Sequence, residues 1–250
     1  MKQTSLIPYV LTLLIGLVVV PFTRRATVEA AFFQASALED DPRGWIDLLE
    51  NADRDLEGWT AVPIPPGTPS RSDLSQWTYD NTTHILKCSG KGRHEWLRKD
   101  REFDDFMYHV EWRFIPLEGD GKKNYNSGVM FRCSETGAIW HQAQTGDASG
   151  GFVFGDTPVQ GKTKRINLMK QTVGKRVRPA GEWNTFEIRC EGNDVRLWVN
   201  GGTTIRWKEC EYPKGFLGLE AEGYAIEFKN VKVKPIKKSS DKGDQKAKDR

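Results

Sequence analysis

A strict alternation of apolar and polar side chains between residues 106 and 114 constrains the fold more than any other feature. Every second residue there is aromatic or β-branched, and the residues between them are Met107, His109, Glu111 and Arg113. Period-two alternation places one face of a strand on a hydrophobic core and the other toward water or a groove. We therefore predict a strand over residues 106–114, with its polar residues facing away from the core.

The same pattern recurs in short segments bounded by Gly, Asn and Asp. We predict further strands over residues 126–133, 183–190, 194–200, 203–207, 216–221 and 225–234. In the first of these, Val129, Phe131 and Cys133 are predicted to face inward. The last two are predicted to pair with each other, and residues 155–178 to form a long polar loop. Short strands and Gly/Asn turns without helical periodicity are typical of an all-β sandwich or barrel.

The N-terminal segment has the pattern of a secretory signal peptide. Lys2 precedes an apolar run from Leu6 to Val20, and small-residue cleavage patterns follow at residues 28–30 and 35–37. The run is short for a membrane helix, which needs about 20 apolar residues. We therefore assign residues 1–37 to a signal peptide and leader, with an uncleaved membrane anchor as the alternative. The domain is expected to be exported, to the periplasm or outside the cell.

The net charge of +3 belongs to the two ends of the chain. Residues 237–250 carry six basic and three acidic side chains, and the leader adds further positive charge. The remaining body is slightly acidic, which does not favour a nucleic-acid surface. We predict one domain over residues 44–236, followed by a disordered charged tail over residues 237–250.

The chain has four cysteines, at positions 88, 133, 190 and 210. An even number in an exported protein permits disulfides, and the spacing does not favour a zinc site. Cys190 and Cys210 flank a predicted hairpin, so we predict this pair as a disulfide. Buried free thiols are the alternative.

Several short motifs occur in order over nearly the whole chain after the leader. They include EWRF at 111–114, NSGVMFR at 126–132, GEWNTF at 181–186, WVNG at 198–201 and GLEAEG at 218–223. Together they resemble those of the 3-keto-disaccharide hydrolase family. The resemblance implies a concanavalin A-like lectin/glucanase jelly roll, which has two packed antiparallel sheets. It also implies action on 3-keto-glycosides or related sugars.

Polar side chains that converge on one groove suit a sugar, since each hydroxyl needs a donor and an acceptor. Alternation places Glu220 and Glu222 on one face of their segment. We predict that one concave sheet carries the catalytic candidates His109, Glu111, Glu220 and Glu222. The substrate-binding candidates are Arg113, Asn126, Arg132, Trp140, Gln142 and Gln144. Trp140, Trp96 or Tyr125 is the predicted aromatic plate for the apolar face of the sugar.

Two chemistries fit these residues. Hydrolysis needs a carboxylate pair, which Glu111 with Glu220 or Glu222 would supply. Elimination uses a ketone at sugar C3 to acidify the proton on C2, and then expels the C1 substituent. His109, His141 or a glutamate would be its base, and Arg113, Arg132 or a divalent metal would hold the enolate. We favour elimination because the resemblance points to keto-sugars. The four histidines show no ligand motif, so the metal stays unassigned.

One departure from the family bears on function. Many members have Glu-x-Gln where this chain has Gln142-Ala143-Gln144, and an amide cannot act as an acid or base. The chain therefore uses another base or binds sugar without cleaving it. We predict an enzyme acting on keto-glycosides, with a lectin-like carbohydrate-binding module as the second reading and an envelope adhesion domain as the third.

Overall fold

The computed structural model describes residues 34–67, 76–119, 124–146 and 149–237. Within these ranges no helix is long and apolar enough to cross a bilayer. Residues 1–33 of the predicted leader and nearly all of the predicted tail lie outside the described residues, so the signal peptide and the disordered tail stay predictions.

The described residues form fifteen β-strands, one short α-helix and a 3₁₀ turn at Met169–Gln171. The elements are α1 (Ala37–Asp40), β1 (Ile46–Asp47), β2 (Trp59–Pro63), β3 (Trp77–Asp80), β4 (Ile85–Cys88), β5 (Glu95–Phe103), β6 (Phe106–Phe114), β7 (Gly128–Cys133), β8 (Trp140–Gln144), β9 (Val153–Val159), β10 (Lys162–Asn167), β11 (Asn184–Glu191), β12 (Asp194–Val199), β13 (Gly202–Trp207), β14 (Gly215–Ala221) and β15 (Ile226–Pro235).

These strands form two packed antiparallel sheets. The front sheet has the order β10-β9-β8-β7-β14-β5-β2. The back sheet has the order β13-β12-β11-β6-β15-β4-β3, and β1 pairs with β15 beside this path. The predicted all-β, two-sheet jelly roll is confirmed.

The core lies between the sheets and follows the predicted alternation. The five apolar residues of β6, from Phe106 to Phe114, are at most 1% exposed. Val129, Leu219 and Ala143 supply the core face of the front sheet. Burial of such side chains stabilises the fold by about 1.5–3 kcal/mol each.

Two predictions about connectivity are wrong. The strands β14 and β15 do not pair with each other, because β14 lies in the front sheet and β15 in the back sheet. The segment 155–178, predicted as a loop, contains most of a β9–β10 hairpin that forms the edge of the front sheet. The polar sequence did not indicate a strand, because an edge strand needs few buried side chains. Most side chains of β10 are exposed.

A β-bulge at Arg132 reverses the predicted alternation at the end of β7. Arg132 has a φ of 44°, and the pairing of β7 with β14 shifts register there. A bulge adds one residue to one strand, so the following side chains change face. Cys133, predicted to face inward with Phe131, instead packs with Met130 and Trp96 on the opposite face.

The predicted disulfide between Cys190 and Cys210 is wrong. All four cysteines are buried free thiols. Burial raises the pKa of Cys88 and of Cys133 to about 12, which suppresses the reactive thiolate.

Residues just before the predicted domain start belong to the folded unit. Ser36 is buried and caps α1, and the Glu187 carboxylate accepts hydrogen bonds from the backbone N–H groups of Ala37 and Leu38 at 2.7 and 3.1 Å. Cleavage at the 35–37 pattern would remove this cap, so the pattern at 28–30 is the better match to the fold.

His109, Glu111 and Arg113 lie on the outer face of the back sheet. This corrects their predicted placement in one groove with Glu220 and Glu222. His109 is buried and its Nδ1 lies 2.9 Å from Glu187 Oε1. Arg113 pairs with Glu227 at 2.7 Å. The alternation of β6 was predicted correctly, but β6 belongs to the other sheet.

Glu111 is part of a polar network on the back sheet. It accepts a hydrogen bond from Asn230 at 2.6 Å and lies 3.3 Å from Lys229 Nζ. Burial opposes its ionisation. The nearby imidazole of His109, 3.7 Å away, the hydrogen bond from Asn230 and the charge of Lys229 outweigh burial and lower the pKa of Glu111 to about 2.

Replacing Glu111 by Gln is expected to weaken the dependence of the free energy of unfolding on pH in the acid range. A carboxyl whose pKa is lowered on folding contributes stability above its unfolded value and loses it as the pH falls through the folded value. The free energy of unfolding of the wild type should therefore fall by about 2 kcal/mol more than that of the variant between pH 5 and pH 2. Urea unfolding at several pH values measures this. An equal loss of unfolding free energy at acid pH in both proteins would show that the network does not stabilise the ionised Glu111.

Candidate functional site

The front sheet carries a groove of about 500 Å³ on the face that points away from the core. Two short rows of its residues follow from the strand register. Glu220 of β14 pairs with Trp96 of β5, while Gly218 pairs with both Arg98 of β5 and Met130 of β7. The lining residues are Pro63, Ile64, Pro65, Pro66, His94, Trp96, Asn126, Met130, Thr136, Gly137, Trp140, Gln142, Phe154, Asp156, Arg165, Glu220 and Glu222.

Three titratable side chains meet in this groove, and we call His94, Glu220 and Glu222 the His94 cluster. His94 Nε2 lies 2.8 Å from Glu220 Oε1. One ligand atom from each of the three residues lies within 4.8 Å of the others. Because Glu222 lies two residues after Glu220, at the end of β14, their side chains project from the same face. Their predicted juxtaposition is confirmed.

Glu220 is held on both carboxylate oxygens. Gln142 donates from Nε2 to Glu220 Oε2 at 2.7 Å, while His94 engages Oε1. A Cβ at Gly128 would lie about 2.1 Å from the Gln142 amide, so the glycine leaves the space through which Gln142 reaches Glu220. Beside them, Gln144 donates to Asn126 Oδ1.

The electrostatics of the cluster favour bound protons. The hydrogen bond to Glu220 raises the pKa of His94, although partial burial opposes this. Burial and then the negative charge of Glu220 raise the pKa of Glu222. Perturbed groups of this kind, placed together in a groove, are typical of functional sites.

The His94 cluster also fits a divalent cation. An imidazole nitrogen and two carboxylate oxygens are common metal ligands. Gln142 fixes the second oxygen of Glu220, as outer partners of metal ligands do. Among the described residues, this is the group whose ligand atoms converge closely enough to hold an ion.

Mn²⁺ or Zn²⁺ is expected to bind this cluster more tightly as the pH rises from 6 to 8. The ion must displace a proton from His94, whose pKa is raised. Titration calorimetry measures the affinity. His94→Gln should weaken binding by at least tenfold, while His84→Gln, at an exposed histidine elsewhere, should not. A larger loss of affinity in His84→Gln than in His94→Gln would show that the ion binds elsewhere.

An aromatic wall continues the groove on β8 and β9. Trp140 is half-buried, and its Nε1 donates to Asp156 Oδ2 at 3.1 Å. The Trp140 ring meets Phe154 edge to face at 5.0 Å between centroids. Of the three predicted plates, Trp140 therefore lies in the groove with an open portion. Trp96 lines the groove but is fully buried, and Tyr125 packs in the core against Phe114.

Arg132 and His141 lie away from the groove. Arg132 is fully buried and donates to the backbone oxygens of Asp104 and Gly192 and to Asp105. The prediction that Arg132 contacts the substrate is wrong, because the bulge at Arg132 turns its side chain away from the groove. His141 faces the core side, where burial lowers its pKa to about 4.

Sequence reasoning missed His94. It stands two residues before Trp96, which was itself a candidate plate, and the register of β5 with β14 places His94 next to Glu222. Extending the alternation of β5 by one step would have put His94 on the groove face. The sequence carried no metal-ligand spacing to draw attention to it, because its partners lie 126 and 128 positions away in the chain.

Solved structures share this architecture. A candidate glycosyl hydrolase from Parabacteroides distasonis is 17% identical with a TM-score of 0.55, covering 82% of this chain and 99% of that one. A second from the same organism is 16% identical with a TM-score of 0.52, covering 77% and 99%. The κ-carrageenase from Pseudoalteromonas carrageenovora is 10% identical with a TM-score of 0.50, covering 77% and 93%. At these identities the likeness shows the fold.

No curated protein matches the chain by sequence. Residues 44–234 match the family described as the 3-keto-alpha-glucoside-1,2-lyase-like domain. This span contains the whole groove, including the His94 cluster and the aromatic wall. The chain therefore belongs to the 3-keto-alpha-glucoside-1,2-lyase-like domain family.

Proposed function

We propose that this chain is an exported enzyme that cleaves 3-keto-glycosides by elimination in the groove of the front sheet. The observation that carries the proposal is the His94 cluster, which places a histidine and two carboxylates together on the groove face. Family membership and the N-terminal signal pattern support the substrate class and the export, respectively.

The arrangement of carboxylates favours elimination over direct hydrolysis. Glycoside hydrolysis uses two carboxyl groups that flank the scissile bond, about 5–9.5 Å apart. Glu220 and Glu222 instead project side by side from the end of one strand, on the same edge of the groove, and do not flank it. Glu111, the other predicted member of a pair, lies on the back sheet.

In the proposed reaction, Glu222 takes the proton from sugar C2. The electrons of the C–H bond move onto the C3 ketone oxygen as an enolate. As the ketone re-forms, a C1=C2 double bond forms and the C1–O bond breaks. The departing oxygen is protonated by Glu222 or by water. His94, protonated and held by Glu220 at 2.8 Å, supplies positive charge to the enolate oxygen.

The departure at Gln142 has a role in this scheme. Its amide donates to Glu220 Oε2 at 2.7 Å and so holds the carboxylate beside His94. The hydrogen bond between His94 and Glu220 raises the pKa of His94. Gln142 thus positions the pair and transfers no proton.

Incubating the purified protein with 4-nitrophenyl 3-keto-glucoside tests the proposal. Elimination should release nitrophenol and leave a sugar product one water lighter than 3-keto-glucose, which mass spectrometry distinguishes. The matching unoxidised glucoside should be inert, because its C2 proton is not acidified. Equal cleavage of both glucosides would rule out elimination. Binding without release of nitrophenol would instead indicate a carbohydrate-binding module.

A further inference from the structure

Resting on the proposed function, we infer that the groove beyond the His94 cluster binds a planar apolar aglycone, such as the aromatic ring of a benzyl glycoside, in preference to a second sugar. We call this part of the groove the aromatic end. It is lined by Ile64, Trp96, Met130, Trp140 and Phe154. The opposite, polar end is lined by His94, Asn126, Glu220 and Glu222.

The lining changes from polar to apolar in the same direction along several strands of the front sheet. Towards this end, Trp96 of β5 follows His94, and Gln144 and Gln142 give way to Trp140 along β8. On β7, Gly128 pairs with Gln144, and two residues further on the apolar Met130 pairs with Gln142. The change is therefore a property of the sheet and not of one side chain.

Two glycines sharpen the boundary between the ends. Gly128 leaves space for Gln142, whose amide turns toward Glu220 at the polar end. Gly218 leaves space for the Trp96 ring, since a Cβ there would lie 2.5 Å from Trp96 Cε3. The Gln142 side chain is thus drawn toward the cluster, and the Trp96 indole covers the sheet position that Gly218 leaves open.

The apolar residues beyond the boundary form one continuous cluster. Val62, Trp96, Met130 and Cys133 pack together, and Ile64, Trp140 and Phe216 pack against them. Phe154 meets Trp140 edge to face at 5.0 Å. Aromatic and aliphatic walls in a groove gain free energy by covering an apolar ligand surface.

Three charged side chains at or near the aromatic end, Asp156, Arg165 and Arg98, already have protein partners. The two oxygens of Asp156 accept hydrogen bonds from Arg165, and one of them also accepts from Trp140 Nε1. Arg98 donates to Asp100 and to the Glu135 backbone oxygen, and its guanidinium lies 4.6 Å over the Phe216 ring.

A second sugar bound here would bring several hydroxyls into contact with hydrocarbon. Each hydroxyl that loses water without gaining a partner costs about 1–3 kcal/mol. A phenyl ring brings no such groups. The chemistry of this end therefore favours an aromatic leaving group while the polar end holds the keto-sugar.

Comparing benzyl and methyl 3-keto-glucosides of one anomeric configuration tests the inference. Both leaving groups are simple alcohols of similar acidity, so a difference in kcat/KM reports binding of the ring rather than bond strength. Burial of the phenyl ring should make kcat/KM for the benzyl compound about 10–100-fold higher. The 3-keto disaccharide should fall below the benzyl compound as well.

Variants assign the preference to the aromatic end. Trp140→Ala and Phe154→Ala should each reduce the benzyl-to-methyl ratio by at least fivefold. Glu222→Gln should lower both rates and leave the ratio near that of wild type. A wild-type ratio near one, or a preference for the disaccharide, would overturn the inference.

A failure of the proposed function can be told apart from a failure of this inference. If no 3-keto-glucoside is turned over, the affinities of benzyl and methyl 1-thioglucosides still compare the two aglycones by titration calorimetry. Tighter binding of the benzyl compound, lost in Trp140→Ala, would support the aromatic end without catalysis. Equal affinities would overturn it.

Discussion

Replacing Glu222 by Gln is expected to lower kcat/KM for 3-keto-glucoside cleavage by about 10³-fold, since removal of a general base typically costs 10²–10⁴. Glu222 is half-buried at the polar end of the groove. The amide has nearly the same shape, so the groove should persist. Release of nitrophenol under subsaturating substrate measures the loss.

Glu227→Gln is the matched control for this prediction. Glu227 is a partly buried glutamate of β15 that pairs with Arg113 on the back sheet. Its replacement should leave kcat/KM within a factor of about two and cost up to about 1 kcal/mol of stability. Retained turnover in Glu222→Gln, with the fold intact by circular dichroism, would remove Glu222 from the reaction.

Replacing Arg132 by Met is expected to lower the free energy of unfolding by about 3–5 kcal/mol, because removal of one partner leaves a buried charge without compensation. Arg132 is fully buried and lies 3.1 Å from the Asp105 carboxylate. It also satisfies the backbone oxygens of Asp104 and Gly192. Urea unfolding followed by tryptophan fluorescence measures the change.

The control for this variant is Arg196→Met. Arg196 pairs with Asp194 at the surface of β12, so its loss should cost under about 1 kcal/mol. A substrate-binding role for Arg132, as sequence reasoning first indicated, would appear differently. KM would rise while the unfolding free energy stayed near that of wild type.

Local sequence carried much of the fold, since strand periodicity is a local property. The alternation of residues 106–114 predicted β6 with its bounds, and the turns at Gly192 and Asn200 adopt the positive φ that those residues tolerate. The placement of Glu220 and Glu222 on the same face followed from alternation in their own segment. What periodicity cannot report is which sheet a strand joins.

That limit accounts for the errors in the candidate site. Glu111 and Glu220 each face outward from the core, but β6 is in the back sheet and β14 in the front sheet. Outward residues of two packed sheets point in opposite directions. A single bulge, at Arg132, then reversed the remaining local prediction of β7.

The sequence by itself determined the all-β class, the outward placement of Glu220 and Glu222, and the polar face of Trp140, Gln142 and Gln144, because each depends on alternation within one strand. Only the tertiary structure brought His94 to Glu220 and sent Glu111 to the opposite sheet. The physical reason is that contacts across a jelly roll depend on strand order and register, which are set by packing of the entire core and not by any one segment.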